Sequence, residues 1–190
     1  LLPEGVGKVT FALSGVSYFS RFTQLGIPTY GVRACAKVRD DRIELSRTVQ
    51  ELLMINIGCC ILVYLVYASA VILVPRFQEE KALYAVLGLS IGFNAIGAEW
   101  LYNALEKYRY IAIRSVLFQV IALVLMFLLI RAQEDYVFYG ALLILATSAS
   151  YVLNFLNLRK YIEFRPVGGY RVTRHLRPIL VFFALSVATT

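Results

Sequence analysis

Two stretches of the chain are apolar and free of charge over the length of a bilayer crossing. Residues 52–74 and 136–158 each contain 23 consecutive positions without Asp, Glu, Lys or Arg. A hydrocarbon core about 30 Å thick needs roughly 20 such residues in a helix that rises 1.5 Å per residue. Strands of a membrane barrel are about ten residues long and alternate in polarity, which these stretches do not. The chain is therefore predicted to be all-α, a polytopic bundle of transmembrane helices.

The composition supports a membrane protein and excludes two other classes. Of 190 residues, 59% are hydrophobic and 16% are charged, with a mean hydropathy of +0.70. Soluble domains contain about 45–50% apolar and about 25% charged residues, and disordered chains are rich in charge and poor in aromatic residues. Cys35, Cys59 and Cys60 are interpreted as small apolar residues in helices and not as a disulfide scaffold.

Weaker apolar stretches add further spans. Residues 115–130 reach a full span if Arg114 extends to the interface. The chain begins without Met and ends inside an apolar run, so we expect it to be a fragment. The predicted spans cover residues 9–29, 49–74, 82–105, 111–130 and 136–158, and residues 178–190 are the truncated start of another.

Basic residues concentrate in every second connection. Residues 31–50, 106–114 and 157–177 together hold 14 of the 19 Lys and Arg residues. Because cytoplasmic loops carry an excess of Lys and Arg, these three connections are predicted to be cytoplasmic. The net charge of +7 then reflects topology and contact with anionic membrane lipids, and no motif points to nucleic acid as a partner.

Three ionisable residues lie inside predicted spans, near their cytoplasmic ends: Arg21, Glu51 and Glu99. Such residues are expensive in a membrane and are functional candidates by default. They either extend to the headgroups, or line a water-filled vestibule in which Arg21 attracts an anion and the carboxylates bind a proton or cation. Residues 32–48 are predicted to form an amphipathic surface helix, on which Arg33 and Lys37 are solvated or meet a phosphate-bearing lipid.

Other polar positions leave two interpretations open. Gly88 and Gly92 form a G-x-x-x-G pattern that favours close helix packing over substrate contact. Four amides either line a hydrophilic lumen or bond between helices: Asn56, Asn94, Gln119 and Asn154. No metal-ligand spacing, nucleotide loop or Ser–His pair is visible, and the single histidine, His175, is predicted to have no special role. We therefore expect neither an enzyme nor a bound cofactor or metal.

Several sequence strings resemble a known family. The strings are PEGVGK at 3–8, LGIPTYGVR at 25–33, KVRDD at 37–41, ELL at 51–53, EWLYNALEKYRY at 99–110 and IRS at 113–115. In order and spacing they resemble the O-antigen and capsule repeat-unit flippases of the multidrug/oligosaccharidyl-lipid/polysaccharide exporter superfamily. The resemblance covers essentially the whole chain.

The resemblance implies a two-lobed exporter of which residues 1–177 form most of the N-terminal lobe. It implies transport of an undecaprenyl-diphosphate-linked oligosaccharide to the outer leaflet of the bacterial cytoplasmic membrane, with other polysaccharide assembly proteins as candidate partners. Arg21, Arg33 and Lys37 are our candidates for binding the diphosphate and sugar, and Glu99 and Glu51 for ion coupling. The alternatives are an ion-coupled multidrug or small-cation antiporter of the same superfamily, or a membrane-embedded enzyme of polysaccharide synthesis.

Overall fold

The computed structural model describes residues 3–132 and 135–188, and within these residues the regular structure is helical. The α-helices are α1 (Pro3–Gln24), α2 (Ile27–Ala36), α3 (Arg42–Leu73), α4 (Pro75–Glu79), α5 (Lys81–Ile96), α6 (Glu99–Ala104), α7 (Tyr108–Leu129), α8 (Tyr136–Ile144), α9 (Ser150–Asn157) and α10 (Thr173–Ala188). A π-helical turn at Leu145–Ala149 joins α8 to α9, and a 3₁₀ turn at Leu158–Lys160 follows α9.

The predicted amphipathic helix over residues 32–48 is wrong, because the chain leaves the helix between α2 and α3. The Asp41 carboxylate accepts hydrogen bonds from the backbone N–H groups of Ile43 (2.9 Å) and Glu44 (3.1 Å). This is an N-cap, which satisfies donors that have no partner in the first helical turn. Arg33 therefore belongs to α2, and residues 42–48 belong to the long helix α3.

Two helices are interrupted by left-handed backbone at residues other than glycine. Leu25 has φ +46° between α1 and α2, and Ala98 has φ +41° between α5 and α6. The predicted span over residues 9–29 is thus two helices, with Pro28 in the first turn of the second. Pro favours a first helical turn because its missing N–H would be unpaired there in any case. Left-handed conformations cost free energy for residues with a Cβ and persist only where the surroundings impose them.

Four helical stretches are long and apolar enough to cross a membrane: Arg42–Leu73, Lys81–Ala104, Tyr108–Leu129 and Tyr136–Lys160. They overlap the predicted spans over residues 49–74, 82–105, 111–130 and 136–158. Helix α7 leaves most of its apolar side chains on the outside of the bundle, including Val120, Val124 and Phe127. Large exposed apolar faces are typical of contact with lipid, so the chain is a multi-pass membrane protein.

Helix α3 connects two buried apolar clusters. One surrounds Leu52, Leu101 and Tyr102 at the start of α3, and the other surrounds Tyr67, Leu87 and Ile91 towards its end. The close packing predicted for Gly88 and Gly92 is confirmed, because tyrosine side chains of α3 occupy the space. A Cβ on Gly88 would lie 2.8 Å from the ring of Tyr67, and one on Gly92 would lie 3.2 Å from the hydroxyl of Tyr64.

A polar cluster joins three helices at the opposite end of the bundle. The Glu80 carboxylate binds the Lys8 ammonium at 2.9 Å and accepts a 2.5 Å hydrogen bond from the Tyr136 hydroxyl. Burial alone raises the pKa of Glu80, but the hydrogen bonds from Tyr136 and Lys8 outweigh it and hold that pKa below its ordinary value. The ionised carboxylate therefore stabilises the folded state, and this contribution is lost as pH falls through the lowered pKa.

We expect Glu80→Gln to lower the free energy of unfolding by about 0.5–1 kcal/mol at neutral pH, because the pair is partly exposed. Thermal unfolding of the full-length protein in detergent measures this loss. Glu79→Gln is the matched control, since Glu79 is exposed on the same turn and forms no ion pair within the described residues. The difference between wild type and Glu80→Gln should shrink as pH falls below 4.5, the ordinary carboxyl pKa. A difference that grows on acidification would contradict the assignment.

Candidate functional site

A basic cavity of about 610 Å³ lies between α2, the start of α3 and the start of α10. We call it the cationic cavity. Its lining includes Arg33, Lys37, Glu44, Arg174 and Phe182. Lys37 follows Arg33 by four residues, so the two side chains share one helical face. The Arg33 guanidinium carbon lies 4.9 Å from the centre of the Phe182 ring, in a cation–π contact.

The positive charge of the cationic cavity is not neutralised by its own carboxylate. Glu44 lines the cavity but is ion-paired with Arg47. Across the described part of the chain, neither Arg33 nor Lys37 forms an ion pair. Guanidinium and ammonium groups that are left without carboxylates favour binding of an anion such as phosphate.

A buried polar cluster forms one wall of this cavity. The Glu51 carboxylate, which is fully buried, accepts hydrogen bonds from Arg174 Nη2 at 2.7 Å and from His175 Nε2 at 2.6 Å. It also accepts one from the backbone N–H of Arg171. His175 Nδ1 lies 2.7 Å from the Tyr30 hydroxyl. We call Tyr30, Glu51, Arg174 and His175 the Glu51 cluster, and it fastens the start of α10 to α2 and α3.

The donor directions in the Glu51 cluster follow from the chemistry of the groups. An ionised carboxylate only accepts, so His175 Nε2 carries a proton towards Glu51. In neutral His175, Nδ1 then accepts the hydroxyl hydrogen of Tyr30. A buried carboxylate is stable only when it is paired and hydrogen-bonded, and Glu51 meets both conditions. The cluster therefore holds Arg174 in a defined position at the edge of the cationic cavity.

Sequence reasoning missed Arg174 and assigned no role to His175. Glu51 immediately precedes an apolar span, which signals that it needs a cationic partner. Residues 157–177 contain six basic side chains, and nothing in their spacing identifies the one that reaches Glu51. His175 itself is 3% exposed despite lying in a connection predicted to be solvated.

Arg21 lies outside the cationic cavity. It is exposed near the end of α1 and lines a separate groove of about 530 Å³ with Tyr18, Phe22 and Phe183. The structure therefore brings Arg33 and Lys37 together, joins Glu51 to them through Arg174, and leaves Arg21 apart.

Glu99 borders a third and smaller cavity, of about 230 Å³. Its carboxylate lies 2.6 Å from Arg114 Nη2, and the Arg114 side chain is 3% exposed. The expectation that Arg114 extends to the membrane interface is wrong, because the guanidinium is buried against Glu99 and the ring of Tyr151. The carboxylate supplies a charge partner that the interface would otherwise have to provide.

The amides predicted to line a lumen or bond between helices do both. Asn56 donates to the carbonyl of Ala95 at 2.7 Å, and Gln24 donates to the Asn94 side chain at 3.2 Å. Asn56 and Asn94 also line the cavity beside Glu99. Asn154 donates to the carbonyl of Gly97 at 2.9 Å.

Comparisons with known proteins give one family and one curated relative. The family model described as "Polysaccharide biosynthesis protein" matches residues 1–190. A protein of Escherichia coli (strain K12) named "Putative O-antigen transporter" is 19% identical over 173 residues, which cover 91% of this chain and 41% of that protein. The chain thus spans about two fifths of the relative's length. No solved structure matches the chain significantly.

Proposed function

The chain belongs to the polysaccharide biosynthesis protein family, and from this premise we propose that it is part of a membrane transporter for a lipid-linked oligosaccharide. The proposed reaction moves an undecaprenyl-diphosphate-linked repeat unit from the cytoplasmic to the outer leaflet of the bacterial cytoplasmic membrane. The hydroxyl groups of such a headgroup would lose their hydrogen bonds in hydrocarbon, so it needs a polar path through protein. The name of the Escherichia coli relative supports this class of cargo.

The observation that carries the proposal is the cationic cavity. Arg33 and Lys37 face it without neutralising carboxylates, and Arg174 is held at its edge by Glu51. A diphosphate presents several anionic oxygens that such a set of donors binds with charge-assisted hydrogen bonds. In this proposal the three connections over residues 31–50, 106–114 and 157–177 face the cytoplasm, where the lipid-linked substrate enters. Arg21, in its separate groove, meets the anionic group at another stage of the movement.

Glu51 and Glu99 are our candidates for ion coupling. Each carboxylate holds an arginine, Arg174 and Arg114 respectively. Uptake of a proton or cation by either carboxylate weakens its hold on that arginine. For Glu51 this releases Arg174 at the wall of the cationic cavity, which links ion binding to diphosphate binding.

The test uses the full-length protein in its host. Deletion of the gene should abolish surface polysaccharide and leave intact lipid-linked repeat units on the cytoplasmic leaflet. Normal surface polysaccharide and normal lipid-linked pools would contradict the proposal and favour an antiporter. Repeat units that reach the outer leaflet but stay unpolymerised would point to a pathway enzyme.

The double variant Arg33→Ala/Lys37→Ala should lower transport at least about tenfold at equal protein level, because it removes two charged hydrogen-bond donors. The matched control is Lys107→Ala/Arg109→Ala, which removes two exposed basic residues from another predicted cytoplasmic connection. Transport is measured as the rate at which repeat units appear on the outer leaflet. Equal losses in both double variants would show that net positive charge, and not the cationic cavity, is what matters.

A further inference from the structure

The cavity beside Glu99 forms where both interrupted helices meet. Gln24 and Ile27 flank the break at Leu25, and Gly97 and Glu99 flank the break at Ala98. We call this space the amide cavity. Its polar and aromatic lining consists of Gln24, Asn56, Asn94, Glu99, Asn103, Trp100 and Tyr151. Gln24, Asn94, Glu99 and Asn103 are half-buried, so the cavity is accessible from outside the bundle.

The side-chain nitrogens of three amides are already engaged with the protein. Asn56 donates to Ala95 and Asn94 donates to the carbonyl of Ser90, both at 2.7 Å, while Gln24 donates to Asn94. Asn56 is 2% exposed, and its side-chain oxygen has no hydrogen-bond partner among the described residues. A buried acceptor without a donor costs about 1–3 kcal/mol, so this oxygen favours a ligand that donates.

The charge of the amide cavity is balanced. Glu99 is its carboxylate and is ion-paired with Arg114. Two further N–H positions of the buried Arg114 guanidinium, Nε and Nη1, have no partner within the residues that the structure describes. A lone cation would gain little from a carboxylate that is already neutralised. The lining instead suits a neutral ligand that both donates and accepts hydrogen bonds.

We infer that the amide cavity binds one sugar ring of the oligosaccharide headgroup, which rests on the proposed function and adds a second subsite to it. Sugar hydroxyls donate to amide and carboxylate oxygens and also accept hydrogen bonds. The rings of Trp100 and Tyr151 offer apolar surfaces to the C–H groups of a pyranose. The volume of about 230 Å³ is below the roughly 300–1,000 Å³ of pockets for drug-sized ligands, so it limits the occupant to one ring.

Binding of the free repeat-unit oligosaccharide, released from the host's surface polysaccharide and lacking lipid and diphosphate, tests this inference. Purified full-length protein in detergent should bind it, and Asn56→Leu should weaken binding at least about tenfold. Asn154→Leu is the matched control, because Asn154 is equally buried and bonds a carbonyl but does not line the cavity. It should leave the affinity within about threefold, since it removes no ligand contact.

Further arms separate the inference from its alternatives. Asn103→Ala, at a half-buried lining position, should also weaken saccharide binding and covers the case in which Asn56→Leu does not fold. Arg33→Ala/Lys37→Ala should lose transport and keep saccharide binding. If wild type transports but binds no free saccharide, or if Asn56→Leu and Asn154→Leu weaken binding equally, the sugar site is overturned while the proposed function stands. Loss of sodium binding in Asn56→Leu with saccharide binding unchanged would identify a cation site instead.

Discussion

Replacement of Glu51 by alanine is expected to lower the free energy of unfolding by about 3–5 kcal/mol, because it leaves buried donors without an acceptor. The carboxylate is fully buried and serves Arg174, His175 and the backbone N–H of Arg171 at once. Its removal also releases the start of α10 from α3, so transport should be lost together with stability. Thermal unfolding of the full-length protein in detergent measures the first effect.

Two comparisons make the Glu51 result specific. Glu163→Ala removes a carboxylate that pairs with Arg42 at 2.9 Å but is 51% exposed, and it should cost less than about 1 kcal/mol. Glu51→Gln keeps an oxygen acceptor and loses the charge, so its loss should fall between those of the two alanine variants. Equal stabilities of Glu51→Ala and Glu163→Ala would refute the buried cluster.

Replacement of Gly26 by alanine is the second change with a large expected effect. A Cβ at Gly26 would lie 2.3 Å from the carbonyl oxygen of Ile179 and 2.7 Å from the backbone nitrogen of Phe183. Both are backbone atoms of α10 and cannot turn away as a side chain can. Overpacking costs about 1–3 kcal/mol and occasionally more. We expect this variant to reach or exceed the upper figure, because α10 must move away from the break between α1 and α2.

The measurement compares thermal unfolding and transport of Gly26→Ala with those of Gly15→Ala. A Cβ at Gly15, in the middle of α1, meets nothing within 4 Å. Alanine favours a helix over glycine by about 1 kcal/mol, so Gly15→Ala should be neutral or stabilising. Displacement of α10 also moves Phe182 from Arg33, so transport should fall in Gly26→Ala alone. Wild-type stability of Gly26→Ala would mean that α10 does not pack here.

The candidate site was predictable in its basic half and not in its acidic half. Arg33 and Lys37 are spaced by one helical turn, and a local pattern is enough to put them on one face. Glu51 was predicted as a functional carboxylate, but its partner His175 is 124 residues away. Arg114 was expected at the interface, because a sequence shows that an arginine ends a span and does not show that a carboxylate lies beside it.

The sequence by itself determined the helical class and the multi-pass membrane character. These follow from the length of charge-free stretches and from the thickness of a bilayer, which need only local information. The tertiary structure alone decided the breaks at Leu25 and Ala98, the pairing of Glu51 with Arg174, and the pairing of Glu99 with Arg114. Left-handed backbone at a leucine or an alanine has no local signature, and the partner of a buried charge depends on which helices pack together.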